Sequence, residues 1–135
     1  MNPVKAIAQF LETELAATAP SGDTLHNRIA MDRIPPTFKN DVSAIEVQMQ
    51  SGGQPMARVP MTRYQMAVMC FGGTSDYDDC SAVSSRVFSV LHNAVGSAPE
   101  AGIMFAQRVT TSRYYEPDTG WPVVVDIYEV EIIET

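Results

Sequence analysis

The spacing of apolar residues along the chain predicts two amphipathic helices. Apolar side chains recur at helical spacing over residues 4–15, directly after Pro3, and this pattern predicts a helix over about 3–18. A second apolar stripe over residues 80–94 follows a group of aspartates and predicts a helix over about 76–95. Each helix has one apolar side, so we expect both to pack on a common core.

Alternating apolar and polar residues predict strands in the rest of the chain. Residues 43–50 alternate strictly, whereas 62–71 begin in alternation and end apolar on both faces. Residues 103–115 and 123–133 flank a turn at 116–120 and predict a long C-terminal hairpin. Neither face of the returning strand is purely apolar, which favours a β-bulge or a face shared with another molecule. The sequence therefore predicts an α+β fold in which one antiparallel sheet packs against two helices.

Two stretches between these elements have the composition of loops. Residues 32–42 contain two consecutive prolines, and residues 51–61 contain two consecutive glycines followed by a proline. Loops of this length without structure of their own are usually functional or disordered. We expect a single domain over residues 1–135, with extended arms at these two places.

Charge is distributed unevenly along the chain. The protein has 9 Lys+Arg and 16 Asp+Glu, a net charge of −7, which argues against nucleic acid or an anionic membrane as a binding partner. The apolar runs are far shorter than the roughly 18–20 residues that cross a bilayer. Residues 116–135 contain six acidic residues and no Lys or Arg, while 26–63 contain five basic and three acidic residues.

This asymmetry favours head-to-tail association of identical subunits, which closes into rings, although ordinary surface charge explains it as well. The candidate residues for an interface with a second subunit or another protein come from the two arms, the strand after the second arm and the last strand: Arg33, Lys39, Met56, Arg58, Arg63, Glu129 and Glu131.

The sequence offers little catalytic chemistry. It contains none of the common zinc-protease, Cys-x-x-Cys or serine-hydrolase motifs, and Cys70 and Cys80 are expected to be reduced, buried thiols. The aspartates at the start of the second helix could hold a cation, but complementarity to the helix dipole explains them better. We expect no catalytic residue, no metal and no cofactor.

Four segments together resemble a known family. They are the N-terminal helix MNPVKAIAQFLETEL, the strand end VMCFG, the helix SDYDDCSAVSSRVFSVLHNAV and the hairpin YYEPDTGWPVVVDIYEVEI. In layout and loose motif they resemble the tail-terminator, or tail-completion, proteins of long-tailed bacteriophages, over most of the chain. The resemblance implies a small antiparallel sheet packed against helices, in agreement with the pattern above.

The resemblance also implies a function. Such proteins are non-enzymatic virion components, assembled in the host bacterial cytoplasm, that form a hexameric ring on the end of the tail tube. The ring stops polymerisation of the tail tube protein, offers a surface to head–tail connector proteins, and lets DNA pass without specific binding.

Three alternatives stay open. One is another neck or head-completion subunit. Another is a small ligand-binding or enzymatic domain, whose best candidate residues would be Asp78, Cys80 and His92. The last is a partner-binding module in which the hairpin edge adds a strand to another protein.

Overall fold

A computed structural model shows, over the residues that it describes, an α+β fold with two helices on a six-stranded sheet. The structure describes residues 2–32, 42–55, 61–72, 77–98, 101–117 and 120–134. The helices are α1 (Pro3–Ala17) and α2 (Tyr77–Leu91), with a short 3-10 turn at Leu25–Asn27. The strands are β1 (Ile29–Met31), β2 (Ala44–Pro55), β3 (Met61–Phe71), β4 (Gly96–Ala98), β5 (Ala101–Tyr115) and β6 (Pro122–Glu134). Their order in the sheet is β1-β2-β3-β6-β5-β4.

Helix α1 begins where the sequence predicts. The side-chain oxygen of Asn2 accepts hydrogen bonds from the backbone N–H of Val4 at 3.1 Å and of Lys5 at 3.3 Å. These bonds satisfy two of the donors that a helix start leaves without partners. Pro3 occupies the first turn, where its missing N–H has no cost.

Helix α2 ends at Leu91, four residues before the predicted end at 95. Asn93 adopts a left-handed conformation with φ 61°, and its N–H donates to the Ala106 carbonyl of β5 at 2.7 Å. Asparagine tolerates this conformation better than most residues, so Asn93 ends the helix. Gly96 begins β4, where an added Cβ would lie 2.7 Å from the Phe10 ring. Residue 76, the predicted start, lies outside the described residues.

The sheet is antiparallel in four of its five pairings, as predicted. The exception is β1, a short strand that pairs parallel to β2 with Ile29 beside Ile45. Parallel neighbours need a connection of about a dozen residues, and residues 32–43 supply that length. The predicted hairpin is present as β5 and β6. Register shifts occur in β5, at Ile103/Phe105 and Arg108/Thr110, whereas the returning strand β6, whose mixed faces suggested a bulge, pairs with β3 without one.

Strand β2 is longer than predicted. It continues to Pro55, so residues 51–55 of the proposed second arm pair with β3 as a strand. Register shifts between Met49 and Ser51 and between Ser51 and Gln54 absorb the glycines, which strand interiors normally disfavour. Residues 33–41, most of the first arm, and residues 56–60, nearly half of the second, lie outside the described residues. Their extended conformation stays a prediction.

Both helices pack on one face of the sheet, here called the covered face. The core between them is formed by alternate residues of the central strands together with the apolar sides of α1 and α2. Its largest fully buried side chains include Tyr128, Ile7, Leu11, Leu15, Ile45, Met66 and Leu91. No helix among the described residues is long and apolar enough to span a membrane.

Candidate interaction surface

The opposite face of the sheet, here called the open face, carries no helix in the described part of the chain. Its first cross-strand row runs from Ala44 through Phe71 and Val123 to Tyr114. A small apolar cluster lies at this end, formed by Ala44, Phe71, Trp121 and Val123, with Met69 and Val125 packed against it. The open face is therefore apolar beside the hairpin turn.

Trp121, beside the hairpin turn, has a structural role. Its ring centroid lies 4.5 Å from that of Phe71, its side chain is buried, and its indole N–H donates to the Gly72 carbonyl. The indole thus joins the start of β6 to the end of β3 and satisfies its own polar atom.

Tyr114 lies across the apolar end of the open face. Its hydroxyl is 3.8 Å from the sulfur of Met69 on β3, and β6 runs between the two strands, so the ring crosses β6. Burial raises the pKa of Tyr114, and the nearby carboxylates of Glu46 and Glu116 raise it further. The residue still exposes 39% of its surface, which leaves an aromatic side chain accessible to a partner.

The far end of the open face is charged. Arg63 of β3 lies between two carboxylates of β6, with Nη2 2.8 Å from Glu131 and Nε 3.2 Å from Glu129. Hydrogen bonding to Glu131 raises the pKa of the Arg63 guanidinium, and the charge of Glu129 adds to this. A shallow depression of 310 Å³ adjoins the cluster and is lined by Ser51, Gly52, Arg63, Tyr64, Gln65 and Glu129.

Three of the seven candidate interface residues therefore come together within one chain. The sequence pattern suggested that basic and acidic regions would meet between subunits, whereas Arg63 partly neutralises Glu129 and Glu131 of its own molecule. The other four candidates, Arg33, Lys39, Met56 and Arg58, lie outside the described residues. The interface role of all seven stays a prediction.

A buried polar cluster on the covered face was missed by the sequence reasoning. Asp126 is fully buried, and the Ser84 hydroxyl of α2 donates to its Oδ2 at 2.5 Å. The guanidinium of Arg108 approaches the other carboxylate oxygen, Oδ1, at 3.9 Å. The only sequence signal was that Asp126 shares strand parity with the apolar residues of β6. This cluster links α2 to β5 and β6 and is structural.

The residues considered for an enzymatic alternative do not converge. Asp78 lies in the first turn of α2 and His92 just beyond its end, about 21 Å apart along the helix. His92 stacks on Phe88 with a centroid distance of 4.4 Å, and its Nδ1 accepts the Arg108 backbone N–H at 3.1 Å. Cys70 and Cys80 are buried and form no disulfide, and burial raises the pKa of the Cys70 thiol, which disfavours the reactive thiolate.

The described residues also contain no group of three or more His, Cys, Asp or Glu that could hold a metal ion. The open face, with one apolar and one charged end, is the surface best suited to an interaction.

The fold is similar to that of a chain solved in the virion of a native gene transfer agent (GTA) particle. The TM-score is 0.64, the sequence identity is 8%, and the match covers 93% of this chain and 96% of that chain. The two chains share a fold. The sequence matches no protein-family model, and no curated protein matches it.

Proposed function

We propose that this protein is a structural component of a phage-like virion that forms a ring on the head-proximal end of a tail tube. The observation that carries the proposal is the end-to-end similarity of its fold to a virion chain of the gene transfer agent particle. The layout of its helices and C-terminal hairpin, which resembles that of tail terminators, narrows the proposal to this role. The ring would stop tube polymerisation and offer a surface for head–tail joining.

Three properties of the described residues support a structural rather than an enzymatic role. His92 lies at the opposite end of α2 from Asp78 and Cys80, the buried carboxylate of Asp126 is held by Ser84, and the depression beside Arg63 is polar. The net charge of −7 suits a ring whose lumen passes DNA without binding it. Hexameric assembly and contact with the tail tube protein are parts of this proposal.

The direct test is electron microscopy and mass measurement of the purified chain, alone and with its tail tube protein. We expect rings on tube ends and tubes of limited length. A chain that stays monomeric in both settings and leaves tube length unchanged would contradict the proposal. Binding to a head connector but not to the tube would instead support the role of a neck or head-completion subunit.

A matched pair of charge reversals tests the charged end of the open face. Glu131→Lys is expected to impair assembly, whereas Glu12→Lys makes the same charge change on the exposed side of α1 and should not. Normal assembly of the Glu131 variant would remove this region from the interface.

A charge swap separates an intrachain role from an interface role. Arg63→Glu combined with Glu131→Lys rebuilds an ion pair within the chain but inverts the surface charge at both positions. If the charged end contacts a partner, the swap should not restore assembly. Full recovery would show that only the internal pair matters.

A further inference from the structure

We infer that residues 109–115 of β5 pair antiparallel with residues 49–55 of β2 from a second copy of this chain. The sheet would then continue from subunit to subunit. The inference rests on the proposed ring and names the contact that builds it. It arises from the two outer strands of the sheet, each of which is paired along only part of its length.

The outer edge of β5 is occupied in its first half only. Strand β4 pairs with residues 101–103, and beyond it Ala106 accepts a hydrogen bond from Asn93 while the Arg108 N–H donates to His92. Residues 109–115 have β6 on one side and, within the described ranges, no strand on the other. All seven of their side chains are exposed. We call this segment the free edge of β5.

The outer edge of β2 is open at the opposite end of the sheet. Strand β1 pairs with residues 45–47, and the Asp32 N–H donates to the Val47 carbonyl at 2.8 Å. From Met49 to Pro55 the strand has β3 on one side, and the described residues place no strand on the other. We call residues 49–55 the free edge of β2.

Along β5, backbone groups point alternately toward β6 and away from it, and those that point away are available to pair with a new strand. Ala106 and Arg108 direct theirs away from β6, as their bonds to the end of α2 demonstrate. The bulge between Arg108 and Thr110 then shifts the alternation by one residue. The outward set beyond the bulge is therefore Thr111, Arg113 and Tyr115. Each presents an N–H and a C=O to the space that a new strand would occupy.

The composition of the β5 edge favours pairing. Edges that must stay unpaired usually carry lysines, prolines or inward-pointing charges. The free edge of β5 reads VTTSRYY, which is rich in strand-forming residues and has no carboxylate, lysine or proline. Its Arg113 and two tyrosines are the residue types enriched in interface hot spots. The free edge of β2 is uncharged and has a proline only at its last position.

Strand direction selects the opposite edge as the partner. Three antiparallel pairings separate β2 from β5, so the two strands run in opposite directions within one subunit. The two free edges lie in different rows of the sheet, because Ser112 is level with Val125 of β6 and Ser51 is level with Glu129, so the pairing staggers neighbouring copies along the strands. A closed ring accommodates such a stagger when its strands are inclined to the ring axis, as they are in β-barrels. A neighbouring copy rotated about such an inclined axis presents β2 antiparallel to β5. Repetition of this contact uses both free edges and closes, as ring formation requires. A two-fold pairing of β5 with β5 would leave every β2 edge open.

Disulfide trapping tests the contact. Ser51 and Ser112 are exposed, lie on the open face and direct their backbone groups into their own sheet, so Ser51→Cys and Ser112→Cys would face each other across the new pairing. Within one chain β2 and β5 are about 14 Å apart, too far for a disulfide. Oxidised rings of the double variant should give covalent multimers, whereas each single variant should stay monomeric under denaturing conditions.

A second position on the same face of β5 is also tested, because the pairing register between copies has two close alternatives. A second double variant therefore combines Thr110→Cys with Ser51→Cys. One of the two double variants should give covalent multimers. Rings that form without cross-links in either variant would overturn this inference and leave the proposed function standing. Covalent dimers from Ser112→Cys alone would indicate the two-fold contact instead.

A proline variant supplies an independent test. Thr111→Pro removes an outward N–H that β6 does not use, so the monomer should fold, whereas Thr111→Ala keeps that N–H. The circular dichroism spectra of both variants should match that of the wild-type chain. The amount of protein found in rings should fall at least tenfold in the proline variant only. Rings formed equally by both variants would overturn the inference. A wild-type chain that never assembles, alone or with the tube protein, would contradict both the inference and the proposed function.

Discussion

The two faces of the sheet use the same strands for different purposes. On the covered face, β6 contributes Val124, Tyr128, Val130 and Ile132 to a core sealed by two helices. On the open face, the intervening residues of the same strand change from Val123 at one end to Glu129 and Glu131 at the other. Apart from the buried Asp126, the residues of β6 on the covered face are apolar along its length, whereas those on the open face change from apolar to charged.

This difference separates stability from interaction. Burial from water supplies most of the folding free energy, so the covered face should dominate stability. The open face keeps apolar, aromatic and charged groups partly accessible, as surfaces that contact other proteins do. Substitutions that compare the two faces directly can test this division.

The largest expected effect comes from one pair of isoleucines on β6. Ile132 is fully buried on the covered face, and Ile127 is partly buried on the open face. Ile132→Ala should lower the free energy of unfolding by about 2–5 kcal/mol, and Ile127→Ala by about 1–2 kcal/mol. Urea denaturation measures both. Equal losses would mean that the open face is as well sealed as the covered one.

The next effect concerns the polar group inside the covered face. Ser84→Ala removes the donor to Asp126 and should cost about 1–3 kcal/mol, because a buried acceptor loses its partner. Ser85→Ala is the matched control, since Ser85 is exposed on the same helix and should change stability by less than about 0.5 kcal/mol. Thermal unfolding of the two variants distinguishes them. Equal stability would contradict a role for the Ser84 hydroxyl.

A smaller effect depends on pH. The Arg86 guanidinium forms two 3.0 Å hydrogen bonds with Asp23 and holds the pKa of that carboxyl below its usual range. The stabilisation is therefore present above about pH 4 and is lost as the pH falls through the folded-state pKa. Asp23→Asn should cost about 0.5–1 kcal/mol at pH 7 and almost nothing near pH 2. A cost that did not change with pH would disprove the ionic origin.

The smallest effect on stability is expected at the charged end of the open face. Arg63 is partly exposed, and salt screens its ion pairs. Arg63→Gln should therefore shift the unfolding midpoint only slightly, and the shift should be smaller still in 0.5 M salt. The midpoint at two salt concentrations is the measurement. A large, salt-independent loss would mean that the cluster contributes to folding like a core residue.

The helices and the hairpin could be predicted because their patterns repeat over many residues. Both helices have continuous apolar stripes, and two long strands flank the turn of the hairpin. The bulge suggested by the mixed faces of β6 lies instead in its partner β5. Strand β1 could not be predicted, because three residues carry no measurable period and their pairing with β2 is set by the fold. The helix stop at Asn93 was missed because the hydrogen bond to Ala106 that selects it is distant in sequence.

The candidate surface was predicted only in part. Charge counting identified Arg63, Glu129 and Glu131, but one-dimensional counting does not distinguish a partner in the same chain from a partner in another. The cross-strand register decides this, and no local pattern reveals it. Asp126 was missed for a related reason, since the donor that permits its burial lies on α2, 42 residues away.

The turn that follows α2 limits the length of β5 that can pair with another molecule. His92 and Asn93 occupy backbone groups of Arg108 and Ala106, so a strand that adds to β5 can extend over seven residues, about 20 Å, before it meets this stop. The position of the helix end, rather than the length of the strands, would thus set how many residues of two molecules can pair. Lengthening or shortening α2 by one turn should reset how far neighbouring molecules overlap and, with it, the diameter at which they close.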